Sequence, residues 1–295
     1  MNNDEISQEN PPVHMTLCAD DYGISPAVGD GIRSLIEADR VTATSCMTAS
    51  PFWREEAAFL LPLMDLADIG LHITLTDQVP LADWTSHSPS GKLPSQKELW
   101  WMAIRGQLPE VLLTEELDRQ LDEFIAAFKR PPDFLDGHHH VHQIPRVRRL
   151  VLELFQRRIG CNPVYIRNTA TSVYEAVSRR INFFRNMAIG HIGQSLKSLL
   201  KEQGILTNDS FSGIYGASHQ VPYGPIFEKF LFSLHGRALV LCHPGHVDDA
   251  LTQADSLTIQ REEEWRYLMS PAFLELLERN KIQLGRFIDM TPNQD

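Results

Sequence analysis

The chain lacks the features that would send it to a membrane, a nucleic acid or an oxidising compartment. No window approaches the roughly 18 consecutive apolar residues of a membrane span. The opening segment MNNDEISQENPP is polar and acidic. It reads as a disordered tail over residues 1–12, not as a signal peptide, whose core is apolar. Basic residues are scarce: 27 Lys and Arg against 38 Asp and Glu leave a net charge of −11. Nucleic-acid binding needs clustered cations to displace counterions, and no such stripe is visible. The short runs Arg146–Arg149 and Arg179–Arg180 fall in helical patterns and read as solvated faces. Cysteines are few, and Cys18, Cys46, Cys161 and Cys242 stand far apart in or beside apolar runs, with no CxxC pair. They read as reduced core residues of a cytoplasmic protein, without disulfides or a Cys-ligated zinc.

What is present is an alternation of short apolar runs and amphipathic stretches. VHMTLCAD (13–20), TATSCMTAS (42–50), ADIGLHITLT (67–76) and PDFLDGHHH (132–140) read as strands. NPVYIRN (162–168), QGILTND (203–209), RALVLCHPG (237–245) and the closing KIQLGRFIDM continue the series. Helices are expected between them. One opens at Ser25-Pro26, a capping residue followed by proline at the first helical position. Another, TEELDRQLDEFIAAFKR, is stopped by Pro131-Pro132. Strands alternating with helices predict a parallel sheet. Seven or eight such units over residues 13–295 predict one TIM-like (β/α) barrel domain, irregular or incompletely closed. An open doubly wound sheet is the alternative, but no GxGxxG follows the first strand to support its dinucleotide-binding form. The segment 77–110 is too long for an ordinary connection and reads as an elaborated loop over the barrel mouth.

Polar residues gather at the ends of the expected strands. Asp20 and Asp21 close the first, His72 lies near the end of the third, and Asp136 and His138 close the fourth. Arg167 ends the fifth, Asp209 the sixth and His243 the seventh. In a parallel barrel these ends share the face that carries active sites. One carboxylate and two imidazoles with positions left open suit a catalytic metal. Adjacent Asp20 and Asp21 suggest a division of labour, one ligating the ion and the other taking a proton from water. The segment LDGHHHVHQIP leaves its own geometry open. As a strand it puts His138 and His140 on one face; as a helix after Gly137 it makes His138 and His142 neighbours. Asp136 is a candidate for orienting a histidine, and Arg167 for holding the base or an oxyanion. Tyr215, Phe211, Trp84, Trp100 and Trp101 are candidates for stacking on a sugar ring.

CADDYGISPAVGDGI, IGLHITLT, LDGHHHVHQIP and LCHPGHVD together resemble the successive motifs of the YdjC-like family, the ChbG-type carbohydrate deacetylases. The resemblance runs from Asp20 to about Asp248. It implies a β/α-barrel-like fold and removal of N-acetyl groups from chito-oligosaccharides, with one divalent ion, magnesium or zinc first. It places the metal at Asp21, His72 and His138, the general base at Asp20 and the general acid at His243. Asp136, His142, Arg167 and Tyr215 then contact the substrate or support those groups. Broader NodB-like deacetylases use an HxxxH pair, so His142 remains open as a ligand, a substrate contact or a packed residue. His139 reads as a polar core or loop residue. His246 and YIRNTAT depart from the family's pattern and leave the substrate open. An N-acetylated oligosaccharide is the expected partner, no nucleic acid or membrane is, and the resemblance is compatible with a homodimer. Two other readings are carried. Two His and one carboxylate also form the triad of non-haem Fe(II) oxygenases, whose sites usually pair His-x-Asp on one strand, and no strand among these motifs carries such an arrangement. A sugar-binding relative without catalysis would need neither Asp20 nor His243.

Overall fold

Eight strands, every pairing parallel, are described in a computed structural model covering residues 12–88, 90–160, 163–216 and 222–290. Residues 1–11 of the expected tail and Cys161 lie outside them. The strands are β1 (Val13–Tyr22), β2 (Ala43–Cys46), β3 (Asp68–Ile73) and β4 (Phe134–Gly137), then β5 (Tyr165–Ile166), β6 (Ser210–Ser212), β7 (Ala238–Cys242) and β8 (Ile282–Leu284). Their order across the sheet is β5-β4-β3-β2-β1-β7-β6. Strand β8 pairs with the start of β1, where Met15 faces Leu284 on one edge and Ala238 of β7 on the other. Both faces of the sheet are covered, so β1 is buried from Met15 to Tyr22. That is why the strands read as continuous apolar runs.

The sheet curls until its edges nearly meet. Ile166 N–H donates to the Leu206 carbonyl at 2.9 Å, and Tyr165 forms a single parallel bridge to Leu206. Asn168 and Asn208 bond reciprocally across the same seam, at 2.8 to 3.0 Å. The expected incompletely closed barrel of parallel strands is therefore present, with side-chain amides completing the seam. Strand six is displaced from the expected 203–209 to Ser210–Ser212. Asp209 consequently lies before β6, not at its end, and accepts from the Arg237 backbone N–H at 2.8 Å at the start of β7. It takes no part in the site.

The expected caps form. Ser25 accepts from the Val28 N–H with Pro26 at the first helical position, opening the helix Pro26–Glu37. The helix Glu110–Phe128 ends at Lys129 in a left-handed conformation, two residues before Pro131. The long 77–110 segment contains a helix, Gln96–Arg105, opened by a capping box between Ser95 and Glu98 and closed by left-handed Gly106. Among the basic runs, Arg179 is not solvated: it is buried and donates to the Phe211 carbonyl of β6 at 2.7 Å. Cys18, Cys46 and Cys242 are buried and free. No helix among the described residues is long and apolar enough to cross a membrane.

Candidate active site

Register places the first pair. His72 of β3 stands opposite Asp136 of β4, so their side chains lie side by side, and His72 Nδ1 meets Asp136 Oδ1 at 2.7 Å. The Ser45 hydroxyl of β2 donates to the same carboxylate oxygen. With Nδ1 engaged by a carboxylate, Nε2 of His72 is turned to Asp21 Oδ1 at 3.2 Å.

A bulge brings the two aspartates to one place. Between Ala19 and Tyr22 the β1–β2 register slips, three steps on β1 matching two on β2. Asp21 sits in this bulge with φ of 68°, a left-handed conformation that Asp tolerates better than most residues. Consecutive strand residues would otherwise face opposite sides of the sheet. Here both Asp20 and Asp21 line one cavity of about 560 Å³, together with His72, His138 and His243.

After Gly137 the chain is neither a continuing strand nor an α-helix. His138–Gln143 forms a tight 3-10 segment in which His139 and His140 are left-handed, φ 54° and 58°. His138 Nδ1 thereby meets Asp21 Oδ1 at 2.9 Å. His142 is fully buried, absent from the cavity wall, and bonds through Nε2 to the Arg167 carbonyl at 2.9 Å. It braces the backbone of a site residue and is not brought to the metal-ligand cluster. His139 and His140 line the cavity.

Asp20 is held differently from Asp21. Arg167 donates to both of its oxygens, at 2.7 and 2.8 Å, and its guanidinium also lies 2.9 Å from Asp136 Oδ2. That last contact is an ion pair without hydrogen-bond alignment, since Asp136 Oδ2 has no aligned donor. Cys18, Asp20 and Asp136 also cluster, but the guanidinium already supplies the cation among them.

These contacts set the charges. Burial opposes ionisation of Asp20, yet Arg167 holds its carboxyl well below the usual range. Burial likewise opposes ionisation of Asp21, which His138 and Arg261 keep well below that range. Burial would push His72 down, but Asp136 and Asp21 carry it up to about 10. Burial lowers the fully buried His142 to about 4.

Asp21, His72 and His138 offer ligand atoms within 4.8 Å of one another, all on buried residues. Their arrangement fits a cation. Asp136 accepts the Nδ1–H hydrogen bond of His72, so Nε2 faces a carboxylate oxygen of Asp21, and an unprotonated Nε2 there would set an acceptor against an acceptor. Either a proton or a metal ion relieves that repulsion. Arg261 Nη2 occupies the other oxygen of Asp21 at 2.6 Å, leaving Oδ1 free to ligate.

The family model described as YdjC-like protein matches residues 14–279. This chain belongs to the YdjC-like family. Among its relatives, the chitooligosaccharide deacetylase of Proteus mirabilis is 29% identical over 277 residues, 92% of this chain and 96% of that one. The carbohydrate deacetylase of Geobacillus stearothermophilus is 28% identical over 275 residues, with the same coverage of both chains. A protein from Enterococcus faecalis V583, provisionally described as a cellobiose-phosphate cleavage protein, superposes with a TM-score of 0.70 at 21% identity. It covers 94% of this chain and 98% of its own, a likeness of fold.

In this YdjC-like chain the aromatic candidates divide. Trp100 and Tyr215 line the cavity, and Gln96 joins them from the helix inside the long loop. Trp84 and Phe211 are buried in the core, and Trp101 is exposed outside the cavity. His246 packs on Trp265 at 4.5 Å, away from the wall. Two residues not singled out above reach the site from the helix Ile259–Met269. Arg261 bonds Asp21 and Asp255, and Glu264 accepts from the His243 backbone N–H at 2.6 Å. Their spacing was the available signal: Arg261, Glu264 and Leu268 share one helical face, and Leu268 is a core residue.

Proposed function

We propose that this chain is a metal-dependent hydrolase that removes acetyl groups from N-acetylated sugars of the chito-oligosaccharide type. One observation carries the reading: three ligand atoms from Asp21, His72 and His138 converge beside a spare, fully ionised carboxylate, Asp20, in a cavity that His243 also lines. The names of the two deacetylase relatives, matched over nearly their whole lengths, support it.

Asp21 through Oδ1, His72 through Nε2 and His138 through Nδ1 would hold one divalent ion. When bound, such an ion lowers the pKa of water and polarises the acetyl oxygen. The protein's own groups do the rest. Arg167 keeps both oxygens of Asp20 aimed and charged, and each oxygen retains a lone pair for a proton. Asp20 takes that proton as the water oxygen bonds to the acetyl carbon. His243 gives a proton to the nitrogen as the C–N bond breaks, releasing acetate and the free amino sugar. Asp136 holds the His72 ring in the tautomer that leaves Nε2 unprotonated. Trp100 and Tyr215 on the cavity wall provide faces for a sugar ring.

The test is acetate release from N-acetylglucosamine and its oligomers, with metal-depleted protein reloaded with magnesium, zinc, manganese or cobalt. Turnover should need an ion and not oxygen. Asp20→Asn should lose about 10²–10⁴-fold in rate while still binding metal. If Asp20→Asn loses the ion and Asp21→Asn keeps it, the two aspartates exchange roles. Absence of acetate from every sugar with every ion overturns the proposal.

A further inference from the structure

The helix Ile259–Met269 buries a carboxylate, Glu264, that is fully shielded from solvent and is no part of the metal cluster. Glu264 Oε2 accepts the His243 backbone N–H at 2.6 Å, and Oε1 accepts the Tyr215 hydroxyl at 2.5 Å. The second distance is in the range of an O–H group donating to an ionised oxygen. One buried carboxylate thus ties together the segments after β6 and β7, and both tied residues line the cavity.

Arg261 lies on the same helix, but its Nη2 hydrogen bonds go to Asp21 and Asp255. Both oxygens of Glu264 are therefore occupied by residues of the cavity wall, and the segment that carries His243 cannot shift without breaking a buried hydrogen bond to a carboxylate.

We propose that Glu264 is a positioning residue for the acid step: it pins the His243 backbone against Tyr215 and so holds the His243 side chain where its proton reaches the leaving nitrogen. This rests on the reading of His243 as the general acid. Tyr215, whose proton is committed to Glu264, is then left as a hydrogen-bond acceptor toward the sugar.

Glu264→Gln keeps nearly the same shape but turns one acceptor oxygen into an NH2 group, so the side chain can no longer accept from both the His243 N–H and the Tyr215 hydroxyl. It should lower kcat by tenfold or more, with KM within about twofold, the signature of an interaction made in the transition state. Glu264→Asp, which keeps both acceptor oxygens, should recover part of that loss. A kcat within about twofold of wild type in Glu264→Gln, or a loss that falls on KM instead, overturns the proposal. His243→Gln separates the two ideas: unchanged turnover without His243 means the acid is another group. If Glu264 acts through His243, Glu264→Gln should cost little more in the His243→Gln background, and an equal loss in both backgrounds overturns the proposal. Should Glu264→Gln fail to fold, Tyr215→Phe removes one of the two tethers instead and should lower kcat with KM within about twofold; an unchanged kcat overturns the proposal.

Discussion

Replacing Arg167 with Met would strip the guanidinium from two buried carboxylates at once. Arg167 is fully buried and makes two hydrogen bonds to Asp20, at 2.7 and 2.8 Å, and an ion pair to Asp136 at 2.9 Å. Methionine retains much of the apolar stem and none of the donors. Removing one partner of a buried pair costs about 3–5 kcal/mol, because the remaining charge is left uncompensated. At about 2–4 °C per kcal/mol, that lowers the melting temperature by on the order of 10 °C at pH 7.5. The pH dependence identifies the cause. In the wild type Arg167 holds Asp20 well below its ordinary range, so its stabilisation persists at pH 5 and is lost only in stronger acid. In the variant burial, the largest influence on Asp20, is opposed only by the weaker pull of His72 and His243, and it raises the folded-state pKa above the unfolded one. The deficit is then largest near neutrality and shrinks as pH falls through the raised value. Melts of both proteins at pH 7.5 and 5, with acetate release measured alongside, test this. A variant melting within a few degrees of wild type at pH 7.5, or a deficit that does not shrink at pH 5, would refute it.

Other outcomes follow from the same geometry. Asp136→Asn removes the carboxylate that orients His72, and metal affinity measured by calorimetry should fall about 10–100-fold while Asp21 and His138 remain. His142, fully buried and lowered to about 4, accepts a proton more readily in the unfolded chain. Stability of the wild type should therefore decline as pH falls from about 6.5 to about 4, by on the order of 3 kcal/mol from this residue. Denaturant titrations across that window, compared with His142→Gln, measure it. An acid sensitivity equal in the two proteins would remove His142 as the cause.

Much of this site could be read from the sequence because parallel strands concentrate polar residues at one end. Asp20, Asp21, His72, Asp136, His138, Arg167 and His243 all lie within or just after strand ends, and each interrupts an apolar run. What escaped reading depended on local backbone or on distant packing. The bulge that turns Asp21 toward the site requires a left-handed residue that no pattern of alternation announces. The HHHVH run resolved into neither of its two regular readings, because His139 and His140 adopt left-handed angles that are rare outside glycine. QREEEWRY is mostly polar, yet Arg261 and Glu264 occupy its buried face. Strand six was misplaced by a few residues, which moved Asp209 from a strand end to a strand start. Arg179, in a basic pair that looks solvent-facing, is buried and donates to the Phe211 carbonyl of β6.

The most direct measurement is diffraction from crystals soaked in zinc, with anomalous signal collected at the metal edge. The account predicts one peak about 2.0–2.2 Å from Asp21 Oδ1, His72 Nε2 and His138 Nδ1, with Asp20 still clasped by Arg167. A peak elsewhere, or none where those three atoms converge, would contradict it.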